Sequence, residues 1–146
     1  METSKKTTEE YSKQGKKNRA AGVRFEANVR EDLNSQGWIL DKWTNNVDFE
    51  KNKVVPAKRK YNPFMKALSI GNGFPDFIGF KLTAKRRYDI IGVEVKRRGY
   101  LDSEEKKKCE WYLKNKIFSR ILIARAVKNG VHADIEYADF EDKYLK

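Results

Sequence analysis

The chain has 146 residues, of which 39% are hydrophobic and 12% aromatic, which fits one folded domain and excludes an intrinsically disordered chain. Its formal net charge of +11 and pI near 9.7 favour a polyanionic partner, above all nucleic acid, over a soluble basic protein without one. The single cysteine, Cys109, excludes an internal disulfide framework and a cysteine zinc cluster, and no apolar run predicts a signal peptide or a membrane span. We therefore expect a soluble, intracellular (cytoplasmic) protein without a membrane partner.

The first predicted element is a helix from Ala20 to Gln36, which Gly37 ends. Its apolar stripe recurs at every fourth position, at Phe25, Val29 and Leu33. Glu26 lies beside this stripe and has two interpretations. It is either a charge favoured near the helix start, with Arg30 as a partner four residues on, or an acid that points toward a metal site.

The segment after this helix is harder to interpret. Residues 38–43 predict an extended segment, but Pro56 and Pro63 argue against a regular central strand or a helix interior in residues 44–69. A basic cluster in this segment either binds a nucleic-acid backbone or belongs to a long surface connection. The cluster consists of Lys58, Arg59 and Lys60.

A hairpin is predicted next, with strands over residues 74–82 and 88–96 after a turn that ends at Gly73. A second helix follows over residues 102–116, because Asp102 and Glu105 have the spacing of a capping box. Cys109 lies on the same helix face as Glu105 and is interpreted as a core residue.

Two more strands complete the chain, over residues 117–127 and 131–137, with Asn-Gly between them as a hairpin signal. The second alternates apolar and polar residues and is predicted to be an edge strand. This order of elements predicts an α/β fold with a mixed central β-sheet flanked by helices. We predict a flexible basic arm over residues 1–20 and a single domain over residues 21–146.

Three charges on the hairpin call for a functional explanation. Asp76 lies in an apolar strand, and Glu94 and Lys96 share one face of the next strand. Gly92 is expected to leave room beside Glu94 on that face. If the two strands pair antiparallel, Asp76 comes beside Glu94, and two close carboxylates predict a Mg²⁺ site. Lys96 would then stabilise charge on a phosphate or position the nucleophile. The alternative is a structural network of ion pairs.

These residues resemble the signature of the PD-(D/E)xK nuclease superfamily: Pro75-Asp76, then seventeen residues, then Glu94-Val95-Lys96. The segment 22–38 resembles the first helix of archaeal Holliday junction resolvases. The segments 73–79 and 101–105 resemble virus-type replication-repair nucleases. The resemblance covers roughly residues 20–137 and implies a restriction-endonuclease-like core.

The resemblance also implies roles for single residues. Asp76 and Glu94 would be metal ligands for Mg²⁺, for which Mn²⁺ would substitute, with the Val95 carbonyl as a third ligand. Lys96 would be the catalytic lysine, and Glu26 the helix acid that some members use near the metal. Glu105 lies where many members have glutamine, which leaves its role open between adding charge near the metal and pairing with a lysine.

We therefore expect a Mg²⁺-dependent endodeoxyribonuclease that cuts junction, flap, branched or duplex DNA, with Arg97 and Arg98 joining the basic cluster in DNA binding. A homodimer would suit junction cleavage, since two sites must cut two strands. The alternative is a non-catalytic nucleic-acid-binding module with a nuclease-like fold, and a third hypothesis is a nuclease directed at RNA.

Overall fold

The chain begins with a long helix. The computed structural model describes residues 7–58, 60–62, 67–69, 73–129 and 132–146, and their side chains except at 59–72 and 129–133. Helix α1 spans Thr8–Ser35, so the predicted start at Ala20 is wrong. Thr7 and Glu10 form a capping box that begins the helix without any apolar stripe. The division into an arm of residues 1–20 and a domain of 21–146 stays a prediction, although residues 8–20 are helical.

The end of α1 follows the prediction. Gln36 caps the helix, and Gly37 has a φ of 96°, a conformation that favours glycine. Strand β1, Ile39–Lys42, follows directly and lies within the segment predicted to be extended. The helix and the strand are therefore joined by a tight turn, which brings the buried side of α1 against the sheet.

Two small antiparallel strand pairs lie in the segment for which the sequence predicts no regular element. Strands β2 (Asn45–Asp48) and β3 (Lys53–Pro56) pair antiparallel, and so do β4 (Lys60–Asn62) and β5 (Ala67–Ser69). Pro56 ends its strand in a two-stranded ladder, a position that tolerates proline. Pro63 lies outside the described residues.

The described residues form a central sheet of five strands in the order β1-β6-β7-β8-β9. Strands β6 (Phe77–Ala84) and β7 (Arg87–Val95) are the predicted hairpin, and β8 (Arg120–Asn129) and β9 (His132–Asp139) are the last predicted pair, with β9 at an edge. Among the neighbouring strands of this sheet, as far as the described residues show, only β7 and β8 pair in parallel. The predicted α/β fold with a mixed sheet flanked by helices is therefore confirmed.

Helix α2, Ser103–Lys114, connects the two parallel strands, as such a pair requires. Asp102 caps it and Glu105 completes the predicted capping box. A π-helical turn, Glu141–Leu145, closes the chain. Within the described residues, no helix combines the length and the apolar character that a membrane span needs.

Each face of the sheet packs on its own apolar cluster. The cluster against α1 includes the three stripe residues and, from β7, Ile91 and Val93. The cluster against α2 includes Cys109, Tyr112 and Phe118, and Cys109 is 0% exposed, which confirms it as a core residue. Burial raises the pKa of the Cys109 thiol.

Candidate active site

Asp76 lies one residue before β6, so the prediction that it lies within the strand is wrong. Its backbone and its side chain are both held by hydrogen bonds. The register pairs Phe77 with Val93, so the predicted antiparallel pairing is confirmed and Asp76 comes next to Glu94. The Val95 N–H donates to Asp76 Oδ2 at 2.8 Å. The Trp43 N–H donates to the Asp76 carbonyl at 3.1 Å. The carboxylate is therefore fixed against the end of β7.

The loop before Asp76 is packed tightly on the strand β1 side. A Cβ at Gly73 would lie 2.3 Å from the Trp43 carbonyl oxygen and 2.7 Å from the Asn45 nitrogen, so only glycine fits. The Phe74 N–H donates to the Asn45 carbonyl at 2.9 Å. The turn signal at Gly73 in the sequence is thus also a point of close backbone approach.

Glu94 is an acid in the core. It is 5% exposed, and its Oε2 has no hydrogen-bond partner among the described residues. Burial, then the charge of Asp76 and a hydrogen bond to it, raise the pKa of Glu94 to about 10. A buried polar atom without a partner is unfavourable, so this carboxyl calls for a ligand or another function.

Lys96 forms an ion pair with Glu105, with 2.7 Å between Nζ and Oε2. Burial lowers the pKa of Lys96, but the Glu105 hydrogen bond and the charge of Glu94 more than offset this and leave the pKa raised. Glu105 Oε1 also accepts from the Asp102 N–H at 3.0 Å. The open question about Glu105 is answered in part: it pairs with a lysine, and that lysine belongs to the site.

Glu26 lies on α1 and is half-buried. Burial, then the charge of Asp76, raise its pKa, while Lys42 lowers it in part. The interpretation as a charge at the helix start is wrong, because α1 begins at Thr8. Arg30 is not its partner either, because no ion pair among the described residues joins it to Glu26, and the arginine lies 3.8 Å from an oxygen of Asp41. The remaining interpretation is an acid beside the Asp76 carboxylate.

The donor set fits a hard divalent cation. Asp76 and Glu94 offer carboxylate oxygens, and Mg²⁺ commonly takes one or two carboxylates together with waters and phosphate oxygens. Within the described residues, no group of three acidic, histidine or cysteine side chains could hold an ion by itself. The orphaned Glu94 oxygen is the feature that a cation would satisfy. The Val95 carbonyl stays a predicted ligand.

The predicted DNA-binding residues are only partly placed. Arg97 and Arg98 are exposed in the turn that follows Lys96, so they lie close to the site along the chain. Lys58 is exposed as well, but no described contact connects it to the site. Arg59 and the side chain of Lys60 lie outside the described residues.

The sequence does not predict two hydrogen bonds that connect Trp43, Tyr112 and the backbone of Phe74. The Trp43 Nε1–H donates to the Tyr112 hydroxyl at 3.1 Å, and that hydroxyl donates to the Phe74 carbonyl at 2.6 Å. Tyr112 is 0% exposed, and burial, partly offset by the Trp43 hydrogen bond, raises its pKa to about 12. A tyrosine three residues after Cys109 on α2 gives no signal of this role in the sequence.

A second sequence interpretation of the site is also wrong, since Gly92 does not leave the expected room beside Glu94. Instead, a Cβ at Gly92 would lie 2.9 Å from Pro75 Cγ and 3.2 Å from Phe118 Cδ2. The space is already filled, and Gly92 lets the loop that carries Asp76 pack directly on β7.

Comparison with known proteins finds no matching family model, no matching curated protein and no matching solved structure.

Proposed function

We propose that this chain is a metal-dependent endodeoxyribonuclease with a restriction-endonuclease-like core of the PD-(D/E)xK superfamily. The observation that carries the proposal is the buried Glu94 carboxyl, which has an oxygen without a partner and lies beside Asp76. A structural ion-pair network would satisfy that oxygen with a cationic side chain. Here the nearby lysine binds Glu105 instead.

The proposed roles are those that the resemblance implies. Asp76 and Glu94 would hold the cation, with the Val95 carbonyl as the third ligand, and Glu26 would add negative charge beside Asp76. A bound Mg²⁺ supplies Lewis-acid polarisation of the phosphodiester and positive charge at the cleaved bond. Mn²⁺ would serve the same donor set.

Lys96 would act on the phosphate. One of its three N–H donors is used by Glu105, which leaves two for a phosphate oxygen as negative charge develops there. Its raised pKa keeps it in the ammonium form at neutral pH. Hydrolysis would join a water oxygen to phosphorus and break one P–O ester bond, with one proton of that water ending on the leaving oxygen.

DNA is the proposed substrate because the chain carries a net charge of +11, and Arg97 and Arg98 are exposed directly after the site. Junctions, flaps, other branches and plain duplex remain alternatives that an assay must separate. Cutting two strands of a junction would need two sites, which a homodimer would supply.

The test is a cleavage assay with Mg²⁺ or Mn²⁺ on matched duplex, flap and four-way-junction DNA and on duplex RNA. Asp76→Asn and Lys96→Gln should each lower the cleavage rate on the order of a hundredfold or more. Asp89→Asn is the control, since this residue lies near the other end of β7 and pairs with Arg120 away from the site.

Each outcome separates two hypotheses. Asp76→Asn cutting as well as wild type would show that the site is wrongly assigned. Wild type that binds DNA tightly and cuts no substrate would favour the non-catalytic binding module. Faster cleavage of RNA than of matched DNA would favour the RNA-directed nuclease.

A further inference from the structure

The first half of α1 extends into solvent without packing on the domain. The buried residues of this helix are Phe25, Val29 and Leu33, all in its second half. Every residue from Thr8 to Ala20 is exposed except Gly15, which is half-buried. We call residues 8–22 the helical arm. A helix that buries so little gains almost no stability from tertiary contacts, which indicates that its exposed surface has another use.

The arm carries cations that the domain does not neutralise. The cations are Lys13, Lys16, Lys17 and Arg19. Among the described residues, none of the four has an ion-pair partner. A row of unpaired cations on a projecting helix complements a polyanion.

Helix geometry sorts these cations into two pairs. Each residue turns the helix by about 100°, so Arg19, seven residues before Glu26, lies within about 20° of it around the axis. Lys16, three residues earlier, is about 80° from Glu26. Lys13 and Lys17 lie about 140° and 180° away, on the side that faces away from the site.

The distance from Glu26 to the cations of the arm matches the spacing of phosphates along DNA. At about 1.5 Å per residue, Arg19 and Lys16 lie roughly 10 and 15 Å from Glu26 along the helix axis. One strand of B-DNA advances about 3.4 Å per nucleotide, so this distance spans roughly three to four phosphates. Glu26 lies on the part of α1 that faces Asp76, because Arg30, one turn further along the helix, has its guanidinium carbon 5.9 Å from the ring centroid of Phe77, the residue after Asp76. Burial, and then the charge of Asp76, also raise the pKa of Glu26.

From this placement we propose that the side of the arm that carries Lys16 and Arg19 binds the phosphate backbone of the DNA strand that flanks the scissile bond. The inference rests on the proposed function, because it takes Glu26 and Asp76 as the cleavage site. It assigns the contacts beyond the site to two residues on α1, in addition to Arg97 and Arg98.

The test compares two double variants with the same change of charge. K16Q/R19Q removes the cations on the side of the site, and K13Q/K17Q removes those on the opposite side. Glutamine keeps a helix propensity close to that of lysine and arginine, and circular dichroism should show equal helix content. Binding of a labelled 20-base-pair DNA duplex is followed by anisotropy over a range of NaCl, with EDTA present so that no metal-dependent cleavage occurs.

K16Q/R19Q should weaken binding on the order of tenfold or more at low salt and reduce the slope of log K against log salt by about 2. K13Q/K17Q should change the slope by less than about 0.5. Equal losses in both doubles would overturn the proposal, because net charge alone would then explain them. No binding by wild type would overturn it as well.

The cleavage assay keeps the two proposals apart. Cleavage that depends on Asp76 but is unaffected by K16Q/R19Q, in binding and in KM, would overturn only the arm contact. If the two double variants showed the predicted salt slopes but wild type cut no substrate, binding of DNA by the arm would be supported and the nuclease activity would be refuted. The arm does not touch the reacting atoms, so the double variant should raise KM and leave kcat unchanged.

Discussion

Strand β7 presents two faces that differ in chemistry. Toward α1 it places Ile91 and Val93, both 0% exposed, in an apolar cluster. Toward α2 it places Gly92, against which the loop with Pro75 packs, and Glu94, which is a buried acid. One face stabilises the fold, while the other gives up stability to hold a carboxyl at a fixed point. Such a local conflict between burial and charge is typical of functional sites.

The largest difference between the two faces is expected in the pH dependence of the free energy of unfolding, measured on metal-free protein. The pKa of Glu94 is raised from 4.5 to about 10, so between these values the folded state binds more protons than the unfolded state. The stability that this group contributes is therefore fully present below pH 4.5 and is lost as pH rises toward 10. Glu94→Gln should be more stable than wild type, by roughly 3 kcal/mol at pH 7.

Urea denaturation in EDTA at pH 5, 7 and 9 measures this difference, which should widen with pH. Ile91→Ala on the opposite face is the matched control, since it should lose about 2–5 kcal/mol at every pH. If wild type and Glu94→Gln showed the same pH slope, the Glu94 carboxyl would not be held protonated, and the contrast between the faces would fail.

The next effect concerns the support of the site by α2. Tyr112→Phe leaves the Phe74 carbonyl and the Trp43 indole N–H without their partner, which should cost about 1–3 kcal/mol. Asp76 is two residues beyond that carbonyl, so cleavage should slow as well. Denaturation and single-turnover cleavage with saturating DNA would measure the two effects separately.

Tyr137→Phe is the control for that variant. It also removes one side-chain hydrogen bond, which the Tyr137 hydroxyl donates to Asp32 Oδ2 at 2.6 Å, but this bond lies on the α1 side of the sheet. It should reduce stability and leave the cleavage rate unchanged. Cleavage by Tyr112→Phe at the wild-type rate would mean that α2 stabilises the fold without positioning the site.

The smallest effect on stability is expected at Glu105. Glu105→Gln keeps one acceptor oxygen, which can serve Lys96 or the Asp102 N–H but not both, so it should cost less than the roughly 1 kcal/mol expected for Glu105→Ala, which loses both bonds. Both variants remove a charge that raises the pKa of Lys96, against the lowering effect of burial. The alkaline limb of the pH–rate profile should therefore move to lower pH.

Glu104→Gln is the matched control at the adjacent position, where the carboxylate pairs with Lys108 at 3.5 Å and is exposed. Its pH–rate profile should equal that of wild type. An unchanged profile for Glu105→Gln would show that the ion pair has no part in keeping Lys96 protonated.

The elements that the sequence predicts well are those encoded by neighbouring residues. The capping box of Asp102 and Glu105 located α2, and the alternation around Glu94 located the two faces of β7. The start of α1 was missed because it depends on the capping box at Thr7 rather than on an apolar stripe. That box was visible in the sequence.

Contacts between segments that are distant in the chain could not be predicted from the sequence. Trp43 and Tyr112 are 69 residues apart in the chain, and Tyr112 and Phe74 are 38 apart, so no local pattern announces their hydrogen bonds. The ion pair of Lys96 with Glu105 likewise needs the packing of α2 against β7. Side-chain partners across the fold depend on packing that no local periodicity specifies.

The buried thiol has a practical consequence. Cys109 is the only cysteine of the chain and lies on α2 between Glu105 and Tyr112, fully covered by the sheet-side cluster. An alkylating reagent can reach it only after α2 opens, so the labelling rate under native conditions measures the free energy of that opening. A cysteine introduced on the exposed arm would react faster by the same reasoning, which allows a spectroscopic probe to be attached at one chosen point.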